Sequence, residues 1–144
     1  MQGMEAVPAA PASILPQRSI RGVRLGMTRQ TVRARLGRPA SVVHGRNDFG
    51  AFTTYRYGRL TVTFQSNAGA SSVATTNRTD RTIRGVGVGS PDDHVAARVA
   101  GARCVTQSGF RHCYVGRWLP GRVVTDFVIR SGHVTRVVLA RVVD

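Results

Sequence analysis

The sequence predicts an α+β fold in which two tandem helix-plus-antiparallel-sheet repeats share one curved sheet, with the helices on one face. Three observations support this prediction. Nine of the nineteen positions in 18–36 are identical to those sixty-three residues later, in 81–99. Each of these segments ends in a short helical pattern, and each is followed by apolar and polar residues in strict alternation. A constant offset of this kind indicates a duplicated structural unit.

The repeat divides the chain into three segments. Residues 1–17 are rich in Ala and Pro and predict a flexible N-terminal segment without the pattern of a signal peptide. Residues 18–80 form the first repeat and residues 81–144 the second. Because each repeat alone would bury too little surface to be stable, we expect the two to form one compact unit.

Each repeat is predicted to contain one helix near its start. In the first, Thr28 is the expected N-cap, Val32 and Leu36 share the buried face, and Gly37 ends the helix. In the second, Ser90 is the expected N-cap, followed by Pro91 at the first helical position. Its buried face consists of Val95 and Val99, and Gly101 ends it.

Alternating strands follow the helices. Leu60, Val62 and Phe64 alternate with polar residues, which is typical of a strand with one wet face. The matching part of the second repeat places Val123, Thr125, Phe127 and Ile129 on one face. We expect the helices to cover the face that carries these apolar residues. The opposite face then carries a mixed set that is too polar for a core: Thr61, Thr63, Val124, Asp126, Val128 and Arg130.

The two cysteines are predicted to form a disulfide. A two-residue turn at Ser108-Gly109 would place Cys104 opposite Cys113, in a pair whose Cα atoms lie ~4.5 Å apart, within the range that a disulfide accepts. The alternative is a metal site completed by one of three histidines: His94, His112 or His133. The spacing fits no zinc signature, so no metal site is expected. A disulfide implies an oxidising, extracytoplasmic compartment.

The charge is strongly positive. All 21 basic residues are arginine, against 7 acidic residues, which gives a net charge of +14. One interpretation is a surface that binds anionic envelope polymers or nucleic acid. The other is an Arg-biased composition, which the scattering of the arginines along the chain favours over a dedicated nucleic-acid patch.

The motif Leu25-Gly-Met-Thr-Arg-Gln-Thr-Val32, followed by Leu-Gly-x-Pro39, resembles a signature of the β-lactamase inhibitory protein (BLIP) family and of BamE/SmpA–OmlA outer-membrane lipoproteins. The BLIP resemblance is the closer and covers residues 18–144. It implies a secreted, non-catalytic, inhibitor-like protein whose sheet face grips another protein. The acidic inhibitory hairpin of BLIP has no counterpart, because Tyr57-Gly58-Arg59 occupies its position, so β-lactamase inhibition itself is not expected.

No arrangement of residues indicates catalysis, so we expect neither an enzyme nor a cofactor. The predicted function is protein binding through the exposed sheet face, by aromatic and Arg side chains of the kind that anchor interfaces. The predicted partner-binding residues are Tyr55, Tyr57, Arg59, Trp118 and Arg122. The alternative for Tyr55 and Trp118 is that they cap the ends of the core. The chain is expected to lack a membrane span and to be a monomer or a homodimer, the latter through Val124 and Val128.

Overall fold

The computed structural model describes residues 12–143, and these residues form a mostly β structure with 48% strand and 11% helix. The helices are α1 (Arg29–Leu36) and α2 (Asp92–Arg98). The strands, in chain order, are β1 (Ile14–Leu15), β2 (Ser19–Ile20), β3 (Ser41–Asn47), β4 (Gly50–Tyr57), β5 (Leu60–Gln65), β6 (Ala70–Thr75), β7 (Arg103–Gln107), β8 (Phe110–Gly116), β9 (Val123–Arg130) and β10 (His133–Arg141).

Eight strands form one antiparallel sheet in the order β3-β4-β5-β6-β10-β9-β8-β7, while β1 and β2 pair separately. The prediction of an α+β fold made of two helix-plus-sheet repeats is therefore wrong. The two helices of the structure have only eight and seven residues, which is too few to form a helical layer. The sheet is continuous through the pairing of β6 with β10, in which Val73 lies opposite Leu139.

Both helices and the β1–β2 segment lie on the same face of the sheet and enclose the core. Val32 from α1 and Val95 from α2 are fully buried there, as predicted. Phe64 and Phe127 are the largest fully buried side chains of the sheet. The strand alternation therefore identified the covered face correctly. Ile14 also belongs to this core, so the part of the predicted N-terminal segment from residue 12 onward is packed, and residues 1–11 lie outside the described part.

The predicted N-cap is correct for α1 and wrong for α2. The Thr28 side chain accepts a hydrogen bond from the Thr31 amide, which confirms the predicted N-cap of α1, and Gly37 ends this helix. Ser90 does not cap α2. Its hydroxyl oxygen instead accepts from the Gly87 amide and from the Arg81 guanidinium, and the helix begins after Pro91 without a side-chain cap.

The side of the sheet opposite the helices is referred to as the open face. Its residues alternate with the core residues in every strand, as the pairing of Thr63 with Ser72 and of Tyr114 with Asp126 shows. Strands β5 and β6 present small side chains such as Thr63 and Ser72 on it, whereas β8 presents rings and β9 and β10 present charged groups. The open face is therefore chemically uneven, and its distinctive part lies near β8.

Candidate binding surface

The β7–β8 hairpin carries the candidate surface and is fixed by a disulfide. Ser108 and Gly109 both adopt positive φ angles of 51° and 76°, as a tight two-residue hairpin turn requires. This turn places Cys104 opposite Cys113, and their sulfur atoms are bonded at 2.03 Å. The predicted disulfide is confirmed. Because Cys113 points into the core, its neighbours in β8 point to the open face.

Four rings lie side by side on the open face at β8. Phe110, His112 and Tyr114 alternate along the strand, and Trp118 from the following loop packs beside them. The centroid of the His112 ring is 5.0 Å from that of Phe110, 5.1 Å from that of Tyr114 and 5.6 Å from that of Trp118. These four residues are called the aromatic cluster. Phe110 is 47% exposed and Trp118 46% exposed, so the cluster offers a broad apolar surface to a partner.

A buried hydrogen bond holds the centre of the cluster in place. The Nδ1 atom of His112 lies 2.7 Å from Oδ1 of Asp126, and both residues are buried. Burial raises the pKa of the Asp126 carboxyl above its usual value, although the hydrogen bond with His112 and the electrostatic interactions with His112 and Arg136 oppose that rise. The pair fixes the plane of the His112 ring, against which the exposed rings pack.

The aromatic residues predicted for the site lie on two different faces. Tyr55 is 4% exposed and faces the core, where its ring packs edge-on against Phe64 at 4.9 Å between centroids. Arg33 from α1 covers the Tyr55 ring at 5.0 Å. Tyr57 lies on the same side of the sheet, and its hydroxyl donates to the carbonyl of Gly37. Burial raises the pKa of the Tyr57 hydroxyl. Trp118 alone of the three lies in the aromatic cluster.

The two predicted arginines are exposed and lie apart from each other. Arg59 is in the turn between β4 and β5 and lines a polar pocket with residues of β10. Arg122 is in the loop before β9, beside Gln17 and Arg117. The structure thus does not bring the five predicted partner-binding residues into one surface.

Sequence reasoning did not identify Phe110, His112, Tyr114 or Asp126 as site residues. The signal was present, because Phe110, His112 and Tyr114 alternate with Cys113 and so must lie on the face opposite the disulfide. Asp126 pairs with Tyr114 across the strands, which places its carboxylate within reach of the neighbouring His112.

A metal site or a membrane-spanning helix within residues 12–143 would have recognisable features. This part of the chain contains no group of three or more His, Cys, Asp or Glu residues arranged to hold a metal ion. Neither of its helices has the length and apolar character needed to cross a membrane.

The fold and the cluster together define the class of the protein: an eight-stranded antiparallel sheet, covered on one side, with aromatic side chains on the other. No protein-family model matches the chain. No curated protein sequence matches it either.

Two solved structures are similar to the chain. One is an extracellular protein containing an SCP domain from Bacillus anthracis strain Ames, with a TM-score of 0.57 and 6% identity over 98% of this chain. The match covers 50% of that protein, so the chain spans about half its length. The other is a DUF4309 family protein from Bacillus subtilis strain 168, with a TM-score of 0.52 and 18% identity over 90% of this chain and 88% of that one. At such identities the similarity describes the fold alone.

Proposed function

We propose that this protein is a non-catalytic, extracytoplasmic binding protein that grips a partner protein with the open face of its sheet. The observation that carries the proposal is the aromatic cluster, because exposed apolar patches mark interaction sites and Trp and Tyr are enriched among interface hot spots. The sequence resemblance to BLIP supports the same mode of binding. The proposed contact surface is centred on Trp118 and not on the buried Tyr55.

The compartment is part of the proposal. The Cys104–Cys113 disulfide favours an oxidising environment. The similar structure from Bacillus anthracis is described as an extracellular protein, which points in the same direction. Both observations are consistent with a protein that acts outside the cytoplasm.

The cluster is pre-organised for binding, which favours affinity. Trp and Tyr supply a large contact area at a small cost in conformational entropy, since each side chain has only two rotatable angles. The disulfide and the His112–Asp126 hydrogen bond restrict the strand that carries them. A partner would therefore meet a surface that needs little rearrangement.

The experiment compares capture of a partner by three forms of the protein. The tagged wild type, the Phe110→Ala/Trp118→Ala double variant and the control Phe49→Ala are incubated with the secreted and envelope fractions of the source cells. Phe49 is 51% exposed but lies in the β3–β4 turn, far along the sheet from β8. We expect one protein to bind the wild type and the control at moderate salt and to be lost with the double variant.

The captured protein is then purified and its affinity measured directly. A loss of at least tenfold with the double variant, without a loss with Phe49→Ala, supports the proposal. The second candidate function, binding of anionic polymers, follows from the net charge of +14. It predicts instead that retention falls steeply with salt and that the double variant behaves like the wild type.

A further inference from the structure

A pocket lined by two arginines lies at the end of the sheet, away from the aromatic cluster. It is formed where β5 and β10 begin and β6 ends, and its volume is about 720 Å³. Its lining residues are Arg59, Thr76, Asn77, Arg78, Val88, Gly89, His133, Val134 and Thr135. Of the residues described, no carboxylate is among those that line it.

Several arginines of the chain are held by hydrogen bonds or ion pairs within the protein, whereas the two in this pocket are not. Arg21 and Arg111 are paired with carboxylates, and Arg81 donates to three backbone carbonyls and to a hydroxyl. Within residues 12–143, neither Arg59 nor Arg78 donates a hydrogen bond from its guanidinium or forms an ion pair. Both guanidinium groups are therefore available to a ligand.

The pocket also holds its donors in place. The Thr76 amide donates to the Arg59 carbonyl at 3.0 Å, which fixes the backbone of one arginine against the end of β6. Arg78 lies against the backbone of Gly89, so closely that a Cβ atom at that glycine would stand 2.8 Å from its Nη1 atom. Gly89 thus leaves the space that the Arg78 side chain uses.

Asn77 contributes a further donor. The backbone amide and the hydroxyl of Thr79 donate to its side-chain oxygen Oδ1, at 3.0 and 2.9 Å. These two hydrogen bonds fix the orientation of the Asn77 side chain, so its amide nitrogen Nδ2 points away from Thr79. This nitrogen has no hydrogen-bond partner among the described residues. The pocket thus offers two guanidinium groups and an amide as donors, and a matching ligand carries several acceptor oxygens and at least two negative charges.

We infer that this pocket binds a phosphate-bearing ligand. A tetrahedral phosphate presents three or more acceptor oxygens, and each guanidinium can contact two of them at once. The volume accommodates more than a single orthophosphate, so a pyrophosphate or a phosphate ester fits as well. The same phosphate chemistry could belong to a small molecule or to the backbone of a phosphodiester polymer.

Isothermal titration calorimetry tests this inference with orthophosphate, pyrophosphate, a single-stranded DNA oligomer and, as a carboxylate probe, citrate. The wild type is compared with Arg59→Ala/Arg78→Ala and with the matched control Arg38→Ala/Arg46→Ala. Arg38 and Arg46 are exposed, and both double variants lower the net charge equally, from +14 to +12 (14 − 2). Circular dichroism and melting temperature verify that both variants fold.

We expect pyrophosphate affinity to fall at least tenfold in Arg59→Ala/Arg78→Ala and to stay within about twofold of the wild type in the control. If the wild type binds pyrophosphate more tightly than the oligomer, the site is assigned to small phosphorylated molecules. If it binds the oligomer more tightly, and Arg59→Ala/Arg78→Ala lowers that affinity at least tenfold, the site is assigned to a phosphodiester polymer. Equal weakening in both double variants would show that only net charge attracts the anion and would overturn the inference. Citrate that binds as tightly as pyrophosphate would overturn the phosphate assignment.

Discussion

The hydrogen bond of 2.7 Å between His112 Nδ1 and Asp126 Oδ1 joins β8 and β9 beneath the aromatic cluster. It places a polar pair beneath exposed rings, where a purely apolar contact would leave the ring of His112 free to rotate. The first prediction tests this role. Asp126→Ala removes the acceptor and leaves the buried Nδ1 atom without its partner, so we expect a loss of about 1–3 kcal/mol in the free energy of unfolding.

Asp126→Asn serves as the matched control, because it removes the same charge but keeps an oxygen that can accept from Nδ1. Urea unfolding measures both variants. Trp118 is the only tryptophan in the chain, so its fluorescence reports directly on the cluster. If Asp126→Asn destabilises the protein as much as Asp126→Ala, the charge and not the hydrogen bond holds the cluster together.

The second prediction separates two aromatic residues that the sequence treats as equivalent. Tyr55 packs on Phe64 beneath Arg33, so Tyr55→Ala should lower the free energy of unfolding by about 3–5 kcal/mol. Trp118 is almost half exposed, so Trp118→Ala should cost about 1 kcal/mol or less. Chemical denaturation of both variants provides the comparison, and similar losses would contradict the placement of the two rings.

The third prediction concerns the disulfide. Cys104 and Cys113 are separated by nine positions, and a closed loop this short should stabilise the protein by about 2–3 kcal/mol. We expect the Cys104→Ser/Cys113→Ser variant to show that loss in urea unfolding. Reduction of the wild type with dithiothreitol should give a similar value, while the double variant should not respond to the reductant. Titration of two free thiols in the native, unreduced protein would contradict the disulfide itself.

The sequence predicted the β7–β8 hairpin and the covered face because both follow from local rules. The turn at Ser108-Gly109 fixes the register, and the register fixes the cysteine pair. The number of strands in the sheet could not be predicted from such local rules. Strand β3 is an edge strand with mostly exposed residues, so it lacks the apolar alternation that reveals β5. A search based on alternation therefore undercounts the strands.

The sequence prediction places Tyr55 on the exposed face for a related reason, whereas the structure buries it. Tyr55 and Trp118 lie at equivalent positions of the repeated sequence, which predicts equivalent roles for them. Tyr55 pairs with Val62, which alternation already assigns to the core, so its side chain must face the core too. Trp118 lies outside the strands and is free of that constraint. The tertiary contacts of a loop residue depend on its neighbours in space, which repeat position does not specify.

The last prediction concerns the buried carboxylate of Asp80, which is 3% exposed. Its oxygens accept from Arg21 Nε at 2.9 Å and from the Thr75 hydroxyl at 2.6 Å. Burial alone would raise the pKa of Asp80, but these hydrogen bonds and the charge of Arg21 outweigh it, so the pKa lies below the usual 3.8. The folded state therefore holds this proton less tightly than the unfolded state does.

A lowered carboxyl pKa contributes stability that is complete above pH 3.8 and is lost as the pH falls through the lower, folded-state value. Asp80→Asn removes the charge, so we expect it to lower the free energy of unfolding by about 3 kcal/mol at pH 7, since Arg21 loses its partner. The difference from the wild type should shrink as the pH falls below 3.8, because the unfolded state then takes up the proton more readily than the folded state. Urea unfolding at several pH values measures it, with Asp48→Asn in the exposed β3–β4 turn as the control of equal charge. A difference that stays constant as the pH falls below 3.8 would mean that the ionised form of Asp80 has no special stabilising role.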